Sequence, residues 1–105
     1  RYTDAAESVL LLLGRLVADH PTAFGHLLGA VDLLHAGITE VVVTGRSPEL
    51  VEAVQRAYRP NLVLAWGERR PGPPWEGRDG ERAWVCRNFA CRAPVDHVES
   101  LLAEL

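Results

Sequence analysis

Residues 40–66, EVVVTGRSPELVEAVQRAYRPNLVLAW, decide the fold. The run 40–44 is continuously β-branched after its first residue, which predicts a strand that is covered on both faces. The turn at residues 45–48 ends in Ser-Pro, a pair typical of the N-cap and first position of a helix, and apolar residues then recur at helical spacing. Residues 62–66 form a second apolar run. The stretch therefore predicts a βαβ unit with a right-handed crossover.

Two helices are predicted before this unit. Asp4 and Glu7 have the spacing of a capping box, and residues 4–18 favour a helix whose leucines extend well around its surface. His20-Pro21 breaks this helix, and a second one runs from Pro21 to a stop at Gly37. The pattern predicts an αα-hairpin, and the first helix needs cover on more than one side.

The remaining residues predict a loop, a third strand and a closing helix. Residues 67–81 are polar and rich in Pro and Gly, residues 82–86 form a short strand of undetermined direction, and four apolar residues between 98 and 105 share one helical face. We therefore expect one α/β domain or fragment. A helical hairpin, residues 1–37, packs on a small three-stranded sheet within residues 38–105, which also contain the closing helix.

Composition narrows the range of functions and partners. The net charge of −3 offers no excess positive charge for phosphates, so we expect no nucleic-acid partner. The apolar run Val9–Leu13 is too short to span a bilayer, and a signal peptide is not evident, so we expect no membrane contact and a cytoplasmic location. The absence of methionine indicates a fragment.

Cys86 and Cys91 are the first candidates for chemistry. Four residues separate them, unlike the two of a thioredoxin-type motif, and the residue pattern favours reduced structural thiols. A redox pair is the alternative. A zinc site would add His97, but a fourth ligand is not evident, so we expect neither a metal nor a cofactor.

Gly45, Arg46 and Ser47 form a candidate anion site, because they lie between a strand and the start of a helix. There is one glycine here, not the three of a dinucleotide fingerprint, and Ser47 as an N-cap explains the same residues. Scattered carboxylates and serines suggest no catalytic group. Trp66 and Trp84 are predicted to lie in the core, and Trp75 in the loop.

Four segments occur in the order of a known family. They are Pro21–Gly25, Val41–Gly45, Tyr58–Asn61 and the motif Cys86-x-Asn88-Phe89-x-Cys91-x-x-Pro94-Val95. Together they resemble the C-terminal end of the thioredoxin-domain proteins related to spermatogenesis-associated protein. Trp84 stands where that family is expected to have a tyrosine.

The resemblance implies a larger protein, in which a thioredoxin-like domain and a six-hairpin α/α barrel similar to sugar epimerases and glycosidases precede this region. Those upstream domains would be the partners of a non-catalytic structural or interaction subdomain. Separated from them, the chain is expected to form a homodimer. Two alternatives are a thiol-redox accessory that uses Cys86 and Cys91, and the rim of a sugar-active site in the intact protein.

Overall fold

Residues 1–37 and 38–105 form two separate units in the computed structural model, which describes the whole chain. The α/β class predicted from the sequence is confirmed. The helices and strands, in chain order, are α1 (Tyr2–Asp19), α2 (Gly25–Ala36), β1 (Thr39–Val43), α3 (Pro48–Arg56), β2 (Leu62–Trp66), β3 (Ala83–Arg87), β4 (Ala90–Cys91) and α4 (Val98–Glu104). None of the four helices combines the length and apolar character that a membrane crossing requires.

The first unit is a helical hairpin. The predicted capping box is wrong, because α1 begins at Tyr2 and Asp4 lies in its first turn. A 3₁₀ turn over Pro21–Phe24 leads into α2, so the α-helix itself starts four residues later than Pro21. Gly37 ends α2 as expected: its φ is 77° and its N–H donates to the Leu33 carbonyl at 2.9 Å.

The second unit contains a four-stranded mixed sheet in the order β2-β1-β3-β4. β1 and β2 are parallel neighbours joined through α3, with Thr39 opposite Leu62 and Val43 opposite Trp66. The βαβ prediction is therefore confirmed. β3 runs antiparallel to β1 along its full length, which gives the direction that the sequence left open.

β4 was not predicted. It consists of Ala90 and Cys91 and pairs antiparallel with the end of β3 through a loop of two residues, Asn88 and Phe89. Loops of this length favour Asn-Gly or Asp-Gly, because both residues need positive φ. Phenylalanine at the second position removes that signal, so the hairpin is hidden in the sequence.

One face of the sheet carries the main core. β1 and β3 supply alternate residues to this face, and α3 and α4 cover it, with α4 packed on α3. The buried members of this cluster are Val41, Val43, Leu50, Val54, Ala83, Val85 and Leu101. Alternation along the strands places Val42, Trp84 and Cys86 on the opposite face.

The two strand tryptophans differ from the prediction. Trp66 is 53% exposed at the end of β2, one of the two edge strands of the sheet, so its assignment to the core is wrong. Trp84 is partly buried, and its indole Nε1 is buried without a hydrogen-bond partner. Trp75, in the loop, is also partly buried.

Candidate functional site

Cys86 and Cys91 lie directly opposite each other in the β3–β4 hairpin. The Arg92 N–H donates to the Val85 carbonyl at 3.0 Å, and hydrogen-bonded pairs alternate with non-hydrogen-bonded pairs in an antiparallel ladder. The cysteines therefore occupy a non-hydrogen-bonded position, where facing side chains approach most closely. Their Cα atoms are 3.9 Å apart and their sulfur atoms form a disulfide bond.

The disulfide differs from the expectation of two reduced thiols. That expectation rested on a spacing unlike that of a thioredoxin-type motif and on the incomplete set of features that lower a thiol pKa. The two-residue turn reverses the chain at Asn88 and Phe89 and returns Cys91 to a position beside Cys86. The pairing follows from the turn, and the cysteine spacing alone does not predict it.

Arg78 lies beside both sulfur atoms. Its Nη2 is 3.3 Å from the Cys86 sulfur and 3.2 Å from the Cys91 sulfur, while its Nη1 donates to the Pro74 carbonyl. Its guanidinium places a positive charge against the disulfide. The sequence placed Arg78 in the polar loop of residues 67–81, and its distance of eight residues from Cys86 gives no local signal for this contact.

The loop that carries Arg78 has contacts of its own. The Trp75 N–H donates to the Gly72 carbonyl at 3.0 Å, which closes a turn just before Arg78. Arg69 and Asp79 form an exposed ion pair across the loop. Arg69 and Asp79 thus neutralise each other at the surface, whereas Arg78 reaches the two cysteines of the sheet.

The two cysteines have different environments. Cys86 is fully buried, whereas Cys91 is exposed on the two-residue strand. Thiol–disulfide exchange requires access to a sulfur atom, so the two ends of this disulfide are not equivalent toward an external thiol. Cys91 is the end that solvent reaches.

The turn between the cysteines has an unusual backbone. Asn88 and Phe89 have φ values of 49° and 65°, and the Phe89 side chain is 93% exposed. Asparagine tolerates the left-handed region, whereas an aromatic residue there is strained. Phe89 therefore forms the exposed tip of the hairpin.

Pro94 and Val95, the last residues of the motif, lie at the other end of β3. Val95 exchanges two backbone hydrogen bonds with Ala83, at 2.7 and 2.9 Å. Pro94 is partly buried. This contact returns the chain along β3 before α4 begins, so these two residues have a structural role.

The candidate anion site gains one unfavourable neighbour. Gly45 has a φ of 74°, and a Cβ added to it would lie 2.5 Å from the Glu81 Cγ. This contact brings an acidic side chain against the loop. Arg46 is exposed, and Ser47 is buried at the N-cap without making a side-chain cap hydrogen bond. Anion binding stays a prediction, and Glu81 opposes it electrostatically.

The structure brings no further zinc ligands to the two cysteines. No group of three His, Cys, Asp or Glu side chains is arranged to hold a metal ion anywhere in the chain. His97 lies 3.4 Å from the Asp96 carboxylate at the surface. The thiolates that zinc requires are absent from the disulfide form.

No protein-family model, no curated protein and no solved structure matches this chain. The relationship to the thioredoxin-domain proteins therefore stays a prediction that rests on the sequence motifs. The disulfide, Arg78 and the exposed surface of the helical hairpin are the features from which a function can be argued.

Proposed function

We propose that this chain is a non-catalytic structural and interaction domain. By the sequence resemblance, it is the C-terminal part of a cytoplasmic protein that also contains a thioredoxin-like domain and an α/α barrel. The observation that supports the proposal is the uncovered apolar surface of the helical hairpin.

The hairpin has almost no buried side chains. Val17 is the one buried residue of α1, and α2 has none. Leu11 and Leu12 are adjacent and are 83% and 82% exposed. Further apolar side chains that are exposed in the hairpin are Val9, Leu16, Leu28, Val31, Leu33 and Leu34.

The same helices border an open apolar cleft of about 700 Å³. Side chains from both helices line it, among them Leu10, Leu27 and Leu28. Monomeric proteins rarely expose contiguous apolar surface of this kind, and its presence typically marks an interaction site. The cleft therefore lies on the surface that a partner would cover.

Burial of this surface would supply the binding free energy. Covering one leucine contributes roughly 1.5–3 kcal/mol relative to leaving it exposed. Helices of a neighbouring α/α barrel would provide apolar cover of the required shape, by packing ridges into grooves. In the isolated chain, a second copy is the available substitute, so we expect self-association.

Sedimentation velocity of the 105-residue chain over a wide concentration range tests this proposal. We expect a concentration-dependent dimer, and we expect L11Q/L12Q to shift the equilibrium towards monomer. The control is A5Q/A6Q, which adds the same polar groups at exposed positions of the same helix. A wild-type chain that stays monomeric at the highest concentration, or an equal effect of both double variants, would contradict the proposal.

A further inference from the structure

We propose that the Cys86–Cys91 disulfide is a thiol–disulfide exchange site, with Cys91 as the attacked sulfur and Arg78 as the group that stabilises the departing thiolate. The substrate class is a dithiol. This proposal does not depend on the structural role of the hairpin, because every residue in it belongs to the unit 38–105.

Accessibility selects the attacked sulfur. Exchange begins when a thiolate attacks one sulfur of the disulfide, and the rate depends on access to that sulfur. Cys91 is exposed, whereas Cys86 is fully buried. An incoming thiolate therefore reaches Cys91, and Cys86 becomes the leaving group.

The first step forms one bond and breaks one. The attacking sulfur bonds to the Cys91 sulfur, the Cys86–Cys91 bond breaks, and its electron pair leaves on Cys86 as a thiolate. The second thiol of the reagent then loses its proton to water and attacks the reagent's first sulfur, which is bonded to Cys91 in the mixed disulfide. Cys91 leaves as a thiolate and takes a proton from solvent. The protein disulfide is reduced by two electrons and the dithiol is oxidised to a disulfide.

Arg78 decides whether Cys86 can leave. A charge that forms at a buried position is costly unless it is paired and hydrogen-bonded. The Arg78 Nη2 already lies 3.3 Å from the Cys86 sulfur and 3.2 Å from the Cys91 sulfur, so no rearrangement is needed to pair with the new thiolate. The leaving-group thiol is a main determinant of exchange rate. Arg78 is therefore a positioning and charge-stabilising residue.

The test measures the reduction of the folded chain by dithiothreitol, with alkylation and mass spectrometry to count thiols. We expect native wild-type protein to be reduced at Cys86 and Cys91 without denaturant. We expect R78Q to be reduced about tenfold more slowly. We also expect its equilibrium constant for reduction to be about tenfold smaller, which corresponds to a midpoint reduction potential about 30 mV lower. The control is R70Q, which removes the same charge from the same loop and should change either quantity less than about twofold.

A second readout separates charge stabilisation from a structural effect. In C91S, the thiolate fraction of Cys86 at neutral pH is measured by its ultraviolet absorbance, and adding R78Q should lower it. If circular dichroism shows that R78Q does not fold, R78K is compared instead. Its rate of reduction should lie between the wild-type rate and the tenfold lower rate expected for R78Q, because lysine keeps the charge but lacks the planar fork.

Three results would overturn the proposal. The first is a disulfide that dithiothreitol reduces only in denaturant. The second is a folded R78Q whose reduction matches that of R70Q or, where R78Q does not fold, an R78K that loses tenfold or more in rate although it keeps the charge. The third is an unchanged Cys86 thiolate fraction when Arg78 is replaced.

Discussion

Gly45 occupies a position where two separate demands exclude a side chain. Its φ of 74° lies in the left-handed region, and the Glu81 Cα, Cβ and Cγ atoms would lie within 3.2 Å of an added Cβ. The sequence suggested an anion-binding role for this glycine. The structure gives a sufficient reason in the backbone turn and the close approach of Glu81.

We therefore expect G45A to destabilise the chain more than G77A. Gly77 has a similar φ of 70°, but nothing lies within 4 Å of its added Cβ, so it reports the conformational cost alone. That cost is roughly 1–2 kcal/mol, and the overlap with Glu81 should add to it. Urea denaturation measures both variants. Equal losses would show that Glu81 moves away freely, and E81A should relieve part of the G45A effect because it removes Cγ.

Arg78 and the two cysteines show that a residue's role depends on which side chains the fold brings into contact with it. Both cysteines were identified from the sequence, since thiols are rare and chemically distinct. Arg78 was not, because ten other arginines share its chemistry and only the loop path distinguishes it. Its contact with two sulfur atoms is a property of the folded chain.

At the scale of elements, α4 shows how one helix of seven residues is held in place. Leu101 is fully buried in the core cluster, whereas its neighbour Leu102 is 45% exposed. Arg87 of β3 donates to the backbone oxygen of Leu105 at 3.0 Å, and its positive charge is favourable at a helix C-terminus. Arg92 adds an ion pair with Glu104.

We expect L101A to cost about 2–5 kcal/mol in free energy of unfolding, because it leaves a cavity between α3, α4 and the sheet. L102A removes the same atoms from a half-exposed position and should cost clearly less. Chemical denaturation followed by circular dichroism compares the two variants. Similar losses for both would mean that α4 does not pack through Leu101.

At the scale of the whole molecule, the two units differ in how much apolar surface they bury. The unit 38–105 contains the complete core cluster of β1, β3, α3 and α4. The unit 1–37 buries Val17 alone. Stability in a protein is unevenly distributed, and segments with few buried apolar contacts open most readily.

Amide hydrogen exchange should therefore be faster in α1 and α2 than in β1 and α3. The experiment is run at low protein concentration, because self-association through the leucines would itself protect the hairpin. Raising the concentration serves as the control and should slow exchange selectively in residues 1–37. Equal protection of both units in the dilute sample would show that the hairpin is stable without further cover.

The order of helices and strands follows from local pattern. The β-branched run of β1, the apolar spacing of α3 and the stop at Gly37 each depend on residues close in the chain, so the α/β class and the parallel β1–β2 pair were predictable. The observed bounds of an element differ from the predicted ones by a residue or more where the end residues carry no strong signal, as at Tyr2 of α1 and Thr39 of β1. The tryptophan prediction failed at Trp66 because a strand pattern does not reveal which strand lies at the edge.

The direction of β3, the short β4 and the disulfide required the tertiary structure. Each depends on which backbone groups pair across the sheet, and pairing is set by contacts between residues far apart in the chain. Phe89 in place of glycine hid the turn that brings the cysteines together. Composition and periodicity therefore specified the kinds of element and the reactive residues, while the approach of Cys91 and Arg78 to Cys86 arose only from the folded path of the chain, because side-chain proximity is a non-local property.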